Sequence, residues 1–536
     1  MKKQKITPET VKAAYQTLLR YKEAKEPLNR RILENEEWFH LRHSTGRSQN
    51  GPITQSSAWL FNSIVNKHAD AMDSYPTPCV LPREENDETD AKALSSILPV
   101  LLEQRDFEQT YSDVWWYKLK TGTGAYGVFW NTALQNGLGD VDVCQVDLLN
   151  LYWEPGVKQL QQSQNIFYAN AVDKKLLLKK YPQFEKEIVK ASSDLTFYLP
   201  ETNYEYDDRA LVIDWYYKKP VNGKLLLHYC KFVGSAVLFA SENEELYQST
   251  GFYNHGLYPF VLDTLFVTEG SPAGFGYMDT MKGCQAAIDK LDEVILKNAI
   301  VSESPRWFIS DAAGINEEEY ADWSNPFVHI TGRVDDQTVK QVAVQNVSQS
   351  ALQLLQFKVD EMKETSGNRD FSQGSTGSGV TAASAIQALQ EAGNKLSRDM
   401  IRSSYRAYSA ICNLVIELIR QFYTEPRTFR IVGEAKKREY ITYTASGFAP
   451  DRARPIFDIS VVPQKQSPYK KAEQNELAKE LFTLGMLDPA RKQEALSALS
   501  MMDFYGKEQL LEQIAKAEPK TNAEPKTNAE QEKNKK

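Results

Sequence analysis

The longest uninterrupted helical pattern in the chain limits the folds that are open to it. Residues 382–423 contain no proline and one interior glycine, Gly393, and Thr381 is suited to cap the start of a helix. At 1.5 Å per residue such a helix would be roughly 60 Å long, far beyond the usual globular length. We therefore expect it to pack against something large, such as a neighbouring subunit.

Two shorter helical patterns flank an insert before this long run. Apolar residues recur at three- and four-residue spacing over 278–295 and again over 347–362. Pro305 ends the first pattern, and the Trp-Phe-Ile run at 307–309 favours a strand. The insert continues to Gln345 and is mostly acidic. These patterns predict two helices that pack side by side, with a β-rich insert between them.

A Gly/Ser-rich segment joins the second of these helices to the long run. Phe371 is the only large apolar residue within 365–379, and the glycines relax the backbone, which predicts a mobile loop. Its part at 374–381 is similar to a phosphate loop and opens onto a helix. However, it lacks the lysine that would reach the phosphates, and no strand precedes it. We therefore expect no ATP hydrolysis.

The rest of the chain alternates helical and strand patterns, which predicts an α+β fold with long helices and small β-rich subdomains. Helices are expected at 7–43, 57–74 and 88–121, with Pro99 kinking or splitting the third, and two or three short helices are expected within 469–515. Strands are expected at 79–81, 127–130, 141–146, 224–229, 428–432 and 457–462, with a hairpin turn at Asn222-Gly223. Residues 516–536 repeat Ala-Glu-Pro-Lys-Thr-Asn and predict a disordered tail.

Composition excludes several classes of function. The 536-residue chain has a formal net charge of −8, whereas proteins that hold DNA by neutralising phosphates are more often basic. The five cysteines lie far apart without a Cys-x-x-Cys pair, so we expect reduced, buried thiols. With the histidines scattered as well, no catalytic group, cofactor or metal site is predicted. No window approaches the ~20 apolar residues that a membrane span needs.

Gly122, Gly124 and Gly127 match the Gly-x-Gly-x-x-Gly fingerprint of dinucleotide sites. Here the motif follows a helix and precedes a strand. That is the reverse of the order that directs a helix N-terminus at a pyrophosphate. We interpret it as a structural turn from helix to strand.

Several segments, taken in order, resemble the portal proteins of tailed bacteriophages. They are 59–65 with 75–78, 122–124, 146–147 with 154–155, 274–276 with Gln285, and 379–386. The resemblance extends over about 36–479 and implies a portal-protein fold with wing, stem, clip and crown regions. It implies an N-terminal α+β wing at 1–273, stem helices at 274–300 and 346–366, a clip at 301–345, a channel loop at 367–380, a long wing helix with wing strands at 381–465, a helical crown at 466–515 and the tail at 516–536.

The resemblance also implies which residues meet DNA and partners. The channel loop would present Asn368, Arg369, Asp370, Phe371, Ser372 and Gln373. The stem candidates for brief phosphate contact are Lys282, Lys290, Lys297, Lys358 and Lys363, although a solvated helix face explains each equally well. The clip candidates for partner binding are Glu317, Glu318, Glu319, Tyr320 and Trp323.

The resemblance implies a non-enzymatic ring of twelve copies at one capsid vertex of the virion, assembled in the host cytoplasm. Double-stranded DNA would pass through it without sequence specificity during packaging and ejection. Its further partners would be the terminase large subunit, the head-to-tail adaptor, and the major capsid and scaffold proteins, with no membrane involved. Two alternatives remain open: another virion structural or scaffold protein without a DNA channel, and a nucleotide-dependent motor subunit.

Overall fold

The computed structural model describes most of the first 463 residues and only single residues beyond them. The described ranges are 5–42, 56–191, 208–221, 223–303, 307–311, 314–321, 328–333, 339–341, 347–367, 395–432, 438–444 and 457–463. The chain forms two units, Met1–Val462 and Pro463–Lys536, and the fold below is that of the first. The helices predicted at 469–515 and the tail predicted at 516–536 lie outside the described ranges.

Most of the described helices lie where the sequence patterns predicted them, but the short helices at 174–180, 185–190 and 317–321 were not predicted. The described helices are α1 Pro8–Phe39, α2 Trp59–Met72, α3 Glu88–Glu103, α4 Phe107–Thr121, α5 Lys174–Lys180, α6 Glu185–Lys190, α7 Tyr277–Glu303, α8 Glu317–Ala321, α9 Gln349–Ser366 and α10 Lys395–Phe422. Short 3-10 turns occur between several of them. At the start of α1 the Thr7 hydroxyl accepts a hydrogen bond from the Thr10 backbone N–H, as expected of an N-cap.

The strands form small sheets, which confirms the α+β class. They are β1 Pro76–Pro82, β2 Thr123–Asn131, β3 Asp140–Gln145, β4 Leu151–Trp153, β5 Asn165–Asp173, β6 Arg209–Val221, β7 Lys224–Val233, β8 Ala236–Ala240, β9 Phe260–Thr264, β10 Trp307–Ile309, β11 Val339–Gln341, β12 Arg427–Val432, β13 Arg438–Tyr443 and β14 Phe457–Pro463. Their orders are β4-β5-β6-β7-β8, β3-β2-β9, β1-β14, β10-β11 and β12-β13. Val221 pairs with Lys224, which confirms the predicted hairpin.

The helix does not split at Pro99, so of the two predicted outcomes, a kink or a split, the split is wrong. Helix α3 continues through Pro99 to Glu103, and the chain turns instead at Asp106, where φ is 48° and ψ is 40°. Leu98 and Leu101, on either side of the proline, are fully buried. Burying each leucine contributes about 1.5–3 kcal/mol, which offsets the roughly 3 kcal/mol cost of an interior proline.

Helix α1 is attached in two different ways along its length. Its first half packs apolar side chains, including Val11 and Leu18, on the five-stranded sheet. Its second half buries Ile32 in the main core and adds contacts from polar side chains. The Lys25 ammonium donates to the carbonyls of Leu148, Leu149 and Leu151. Asn29 also donates to the Leu149 carbonyl, and Asn35 donates to the Lys120 carbonyl, so backbone groups fix the position of this half.

Helix α10 is the centre of the main core. It contacts the three-stranded sheet, α2 and β1. Its buried residues are Ser397, Met400, Ser404, Ala407, Tyr408, Ile411, Cys412, Leu414, Val415, Ile416, Leu418 and Ile419. We expected so long a helix to pack against something large, such as a neighbouring subunit. The described part of α10 packs instead against other elements of its own chain. Thr381, the predicted cap, lies outside the described residues.

Candidate functional site

The two helices predicted on either side of the insert lie side by side. Helices α7 and α9 contact each other, and Sγ of Cys284 donates to the backbone carbonyl of Lys358 at 3.0 Å. Ile288 of α7 is buried in the same core as Val359 and Met362 of α9. The prediction of a packed helix pair is confirmed, and the first helix extends three residues past its predicted end at 300, to Glu303.

Close backbone contact fixes the start of α7. Gly122 ends α4 with a φ of 88°, and a Cβ placed there would lie 2.2 Å from the carbonyl carbon of Phe275. A Cβ on Gly276 would lie 2.7 Å from the carbonyl oxygen of Leu119. The Gly-x-Gly-x-x-Gly motif therefore spans the end of α4 and the start of β2. Its first glycine contacts the backbone just before α7. This confirms its interpretation as a structural turn.

A buried polar network joins α7 to the start of α2. Gln285 donates through Nε2 to Asp289 Oδ1 and to the Ser57 carbonyl, each at 2.7 Å. It accepts from the Leu60 N–H at 3.0 Å. Asp289 Oδ1 in turn accepts from the Ser57 N–H at 3.1 Å. Burial, together with the charge of Asp289, raises the pKa of Asp292 above its ordinary value.

Burial stops halfway along both helices of the pair. The buried residues of α7 all precede Lys290, and those of α9 all follow Lys358. Beyond these points large apolar side chains are exposed: Val294, Leu296, Ile300, Val301, Leu352, Leu354 and Phe357. The halves nearest the insert therefore present apolar surface that the described part of a single chain leaves uncovered.

Two of the five stem lysines predicted to meet phosphate are partly covered and ion-paired. Lys282 reaches Glu34 of α1 at 3.0 Å, and its side chain is only 15% exposed. Lys358 pairs with Glu361 one turn along α9 at 2.6 Å, and this hydrogen bond raises the pKa of Lys358. Lys282 thus links α7 to α1, a role that its sequence position did not indicate.

Of the remaining three stem lysines, Lys297 and Lys290 are exposed and Lys363 is half-buried. Lys297 pairs with Glu293, and the Lys363 ammonium lies 6.0 Å from the ring centre of Trp59. Lys290 is exposed, and it forms no ion pair among the described residues. The structure therefore distinguishes Lys290 from the other candidates.

The helix pair carries more negative than positive charge. Helix α7 has five carboxylates (Asp279, Asp289, Asp292, Glu293 and Glu303) and three lysines, and α9 has three carboxylates and two lysines. Phosphate affinity grows with every lysine or arginine that neutralises a phosphate. The described helices thus lack the excess of positive charge that holds DNA in place.

The insert contains the β-structure that its sequence predicted. Strands β10 and β11 pair antiparallel, and Ile315 bridges to Ile330. Glu319 of α8 accepts from both the backbone N–H and Nδ1 of His329, at 2.7 and 2.8 Å, and these bonds lower the pKa of Glu319. The clip candidates Glu317, Glu318 and Tyr320 are exposed. Trp323 lies outside the described residues, as do the loop candidates at 368–373.

The sequence reasoning missed a buried ion pair beneath α10. Lys118 donates to Asp263 Oδ1 at 2.7 Å and to the Ser404 hydroxyl at 2.8 Å, and Ser404 also bonds to Asp263. Both charged side chains are at most 1% exposed. Burial lowers the pKa of Lys118, and Asp263 counteracts that shift. These residues come from α4, β9 and α10, so no local sequence signal could reveal the pair.

A second polar contact of the same kind lies two turns earlier on α10. The buried Lys67 of α2 donates to the Ser397 hydroxyl at 2.9 Å, and Ser397 donates to Asp70 at 2.8 Å. Ser397 and Ser404 are seven residues apart, so both lie on one face of α10. Together they fix the position of α10 along its axis.

The sequence also matches a known protein family, described as Phage P22-like portal protein, over residues 68–536. The match includes the helix pair, the insert and α10. The chain belongs to this family. The resemblance to tailed-phage portal proteins is thereby confirmed, and membership implies an oligomeric ring at the capsid vertex that serves DNA packaging. A comparison with curated proteins gave no match.

Other expected features concern membranes, metals and thiols. No helix within the described ranges is long and apolar enough to cross a bilayer. The described residues also contain no group of three or more His, Cys, Asp or Glu side chains that could hold a metal ion. All five cysteines are free, but only Cys230 and Cys412 are fully buried. The expectation of buried thiols is therefore wrong for Cys79, Cys144 and Cys284, which are half-buried.

Proposed function

We propose that this portal protein forms the ring through which double-stranded DNA enters the capsid during packaging and leaves it at infection. The family match over 68–536 carries the proposal. In this assignment the chain has no enzymatic role, and the terminase large subunit supplies the motor. The ring consists of twelve copies in contact with the major capsid and scaffold proteins.

The proposed regions follow the order of the chain. Residues 1–273 and 381–465 form the wing, 274–300 and 346–366 the stem, 301–345 the clip, 367–380 the channel loop and 466–515 the crown. The packed α7–α9 pair on either side of the β-containing insert supports the assignment of stem and clip. The clip docks the terminase large subunit and later the head-to-tail adaptor, with Glu317, Glu318 and Tyr320 as exposed candidates.

The charge of the helix pair supports a conduit that grips DNA weakly. Eight carboxylates accompany five lysines along α7 and α9. DNA that moves past such a surface meets few positive charges and therefore releases few of its counterions. It should bind the surface only briefly. Among the stem candidates, exposed Lys290 is best placed for such contact, because Lys282 is occupied by Glu34.

Electron microscopy of the purified full-length chain tests the proposal. An axially perforated ring is the expected result, and a native mass measurement then gives the number of copies. Fibres or compact dimers would overturn the proposal and favour a virion structural or scaffold protein without a channel. ATP turnover by the chain alone, abolished by Thr381→Ala, would instead favour a motor subunit.

A further inference from the structure

The halves of α7 and α9 nearest the insert carry apolar residues on more than one side. In α7, Cys284 marks the side facing α9, because its Sγ bonds to the Lys358 carbonyl. Ile288, Leu291 and Ile295 continue that side at helical spacing. The exposed apolar residues of α7 are not part of this side, so contact with α9 does not explain them.

The exposed apolar residues of α7 fall into two groups. Val294 and Val301 are seven residues apart and share one side of the helix, and they are 52% and 40% exposed. We call this side A. Leu296 and Ile300 are four residues apart and share another side, and they are 38% and 58% exposed. We call this side B.

A polar strip separates the two apolar sides of α7. At 3.6 residues per turn, Lys290, Glu293 and Lys297 lie between side A and side B, opposite the side that faces α9. Helix α9 differs: Leu354 and Phe357 share one exposed side, whereas Leu352 lies seven residues before Val359 and continues the side that is buried with α7. Helix α7 therefore has two exposed apolar flanks, and a charged strip divides them.

Two apolar flanks distinguish between kinds of assembly. A two-fold dimer buries the same surface of both copies, so one apolar side is sufficient for it. A copy within a ring meets two neighbours through two different surfaces. Exposed apolar patches of this kind mark interaction sites, and the portal family implies an oligomeric ring. The occupant that fits both flanks is therefore a second copy of this chain.

We infer that side A of α7 in one copy packs against side B of α7 in the next copy around the ring, so that these four residues close the stem. The inference rests on the proposed ring and specifies its contact. The exposed Lys290 and Lys297 then stay outside the contact and face solvent or the channel. The uncovered halves of the helix pair are completed only by assembly.

Two variants that each damage one side test this inference. One is Val294→Glu with Val301→Glu, and the other is Leu296→Glu with Ile300→Glu. The matched control is Lys290→Gln with Lys297→Gln, which changes the polar strip alone. All three are made in the full-length chain, with the circular dichroism spectrum as the measure of folding. Native mass spectrometry then measures the size of the assemblies.

We expect each side variant alone to lose the ring and the control to keep it. An equimolar mixture of the two side variants should give pairs and nothing larger. In such a pair the intact side A of one chain meets the intact side B of the other, while both outer sides carry glutamates. Formation of the pairs also shows that both variants are folded.

Rings retained by both side variants would overturn the inference, as would a folded mixture that stays monomeric. Loss of rings in the Lys290 and Lys297 control would overturn it too, because the contact would then include the polar strip. A wild-type chain that forms no ring would contradict the proposed function itself. The two failures are thus distinguishable.

Discussion

Helices α7 and α10 have nearly the same length, 27 and 28 residues, but they differ in how much of their apolar surface their own chain buries. Helix α10 buries apolar residues from Met400 to Ile419 against the sheet and helices around it. Helix α7 buries none after Asp289, although apolar residues continue to Val301. The difference shows that amphipathic periodicity predicts a buried face without saying which molecule covers it.

The two helices also differ in how polar groups hold them. Beneath α10, the Lys118–Asp263 pair and two serine hydroxyls fix the helix in one position. Polar contacts of α7 are concentrated at its start and middle, at Asp279, Gln285 and Asp289. The described residues therefore bury α10 as far as Ile419 and leave the apolar side chains in the far half of α7 exposed.

The largest effect should come from the ion pair beneath α10. Asp263→Asn leaves the Lys118 charge buried without its partner, and we expect the free energy of unfolding to fall by about 3–5 kcal/mol. Urea denaturation of monomeric chains measures it. The double variant Lys118→Met with Asp263→Leu should recover most of the loss, because it removes both charges together. A loss below about 1 kcal/mol for Asp263→Asn would contradict the role given to this pair.

The same substitution in the two helices gives a direct comparison. Ile419 is 0% exposed and Ile300 is 58% exposed. We expect Ile419→Ala to lower the free energy of unfolding of the monomer by about 2–5 kcal/mol, through lost burial and a cavity. Ile300→Ala should change it by less than about 0.5 kcal/mol while weakening ring assembly. Equal effects on the monomer would mean that Ile300 is covered within its own chain.

The third prediction concerns the polar attachment of α1, through the pH dependence of stability. Burial lowers the pKa of Lys25 to about 7, from an ordinary value of 10.5. Above pH 7 the unfolded chain therefore binds more protons at Lys25 than the folded chain does. The free energy of unfolding should consequently rise with pH, by up to about 1.4 kcal/mol per pH unit between pH 7 and 9.

Lys25→Met should remove this slope, whereas Lys12→Met, on the exposed face of the same helix, should keep it. Asp147 is the carboxylate that opposes the shift in the pKa of Lys25, and it caps the start of the short 3-10 turn Leu148–Asn150, whose first two carbonyls accept from Lys25. Urea denaturation across this pH range measures the slope. An identical slope in wild type and Lys25→Met would show that Lys25 keeps its ordinary pKa.

The smallest effect should distinguish two stem lysines. Lys282→Met removes the ion pair with Glu34 and should cost less than about 1 kcal/mol, with a loss that shrinks as salt is added. Lys290→Met should leave monomer stability within about 0.5 kcal/mol of wild type. Thermal melts at low and high salt measure both. A greater loss for Lys290→Met would mean that Lys290 also holds the fold.

Local sequence patterns predicted most of the elements. The spacing of apolar residues predicted α1, α2, α7 and α9, and Asn-Gly predicted the β6–β7 hairpin, because these features depend on neighbours within a few residues. The order of elements around Gly122 was sufficient to reject a nucleotide site. The split predicted at Pro99 was wrong because burial of the leucines around it offsets the local cost of the proline.

The candidate site was less accessible to sequence reasoning. Acidic charge and helix order were visible, but the partners of the stem lysines were not. Lys282 pairs with Glu34, and Asp289 accepts from Ser57, which is 232 residues away along the chain. Such pairings depend on which distant elements meet, and a spacing rule contains no information about that.

The sequence by itself determined the class of fold, the helix–insert–helix order and the family to which the chain belongs. Only the tertiary structure decided where burial ends on α7, which lysines are paired and how α10 is held. The physical reason is range: periodicity and turns act over a few residues, whereas burial and ion pairing depend on surfaces assembled from the whole chain.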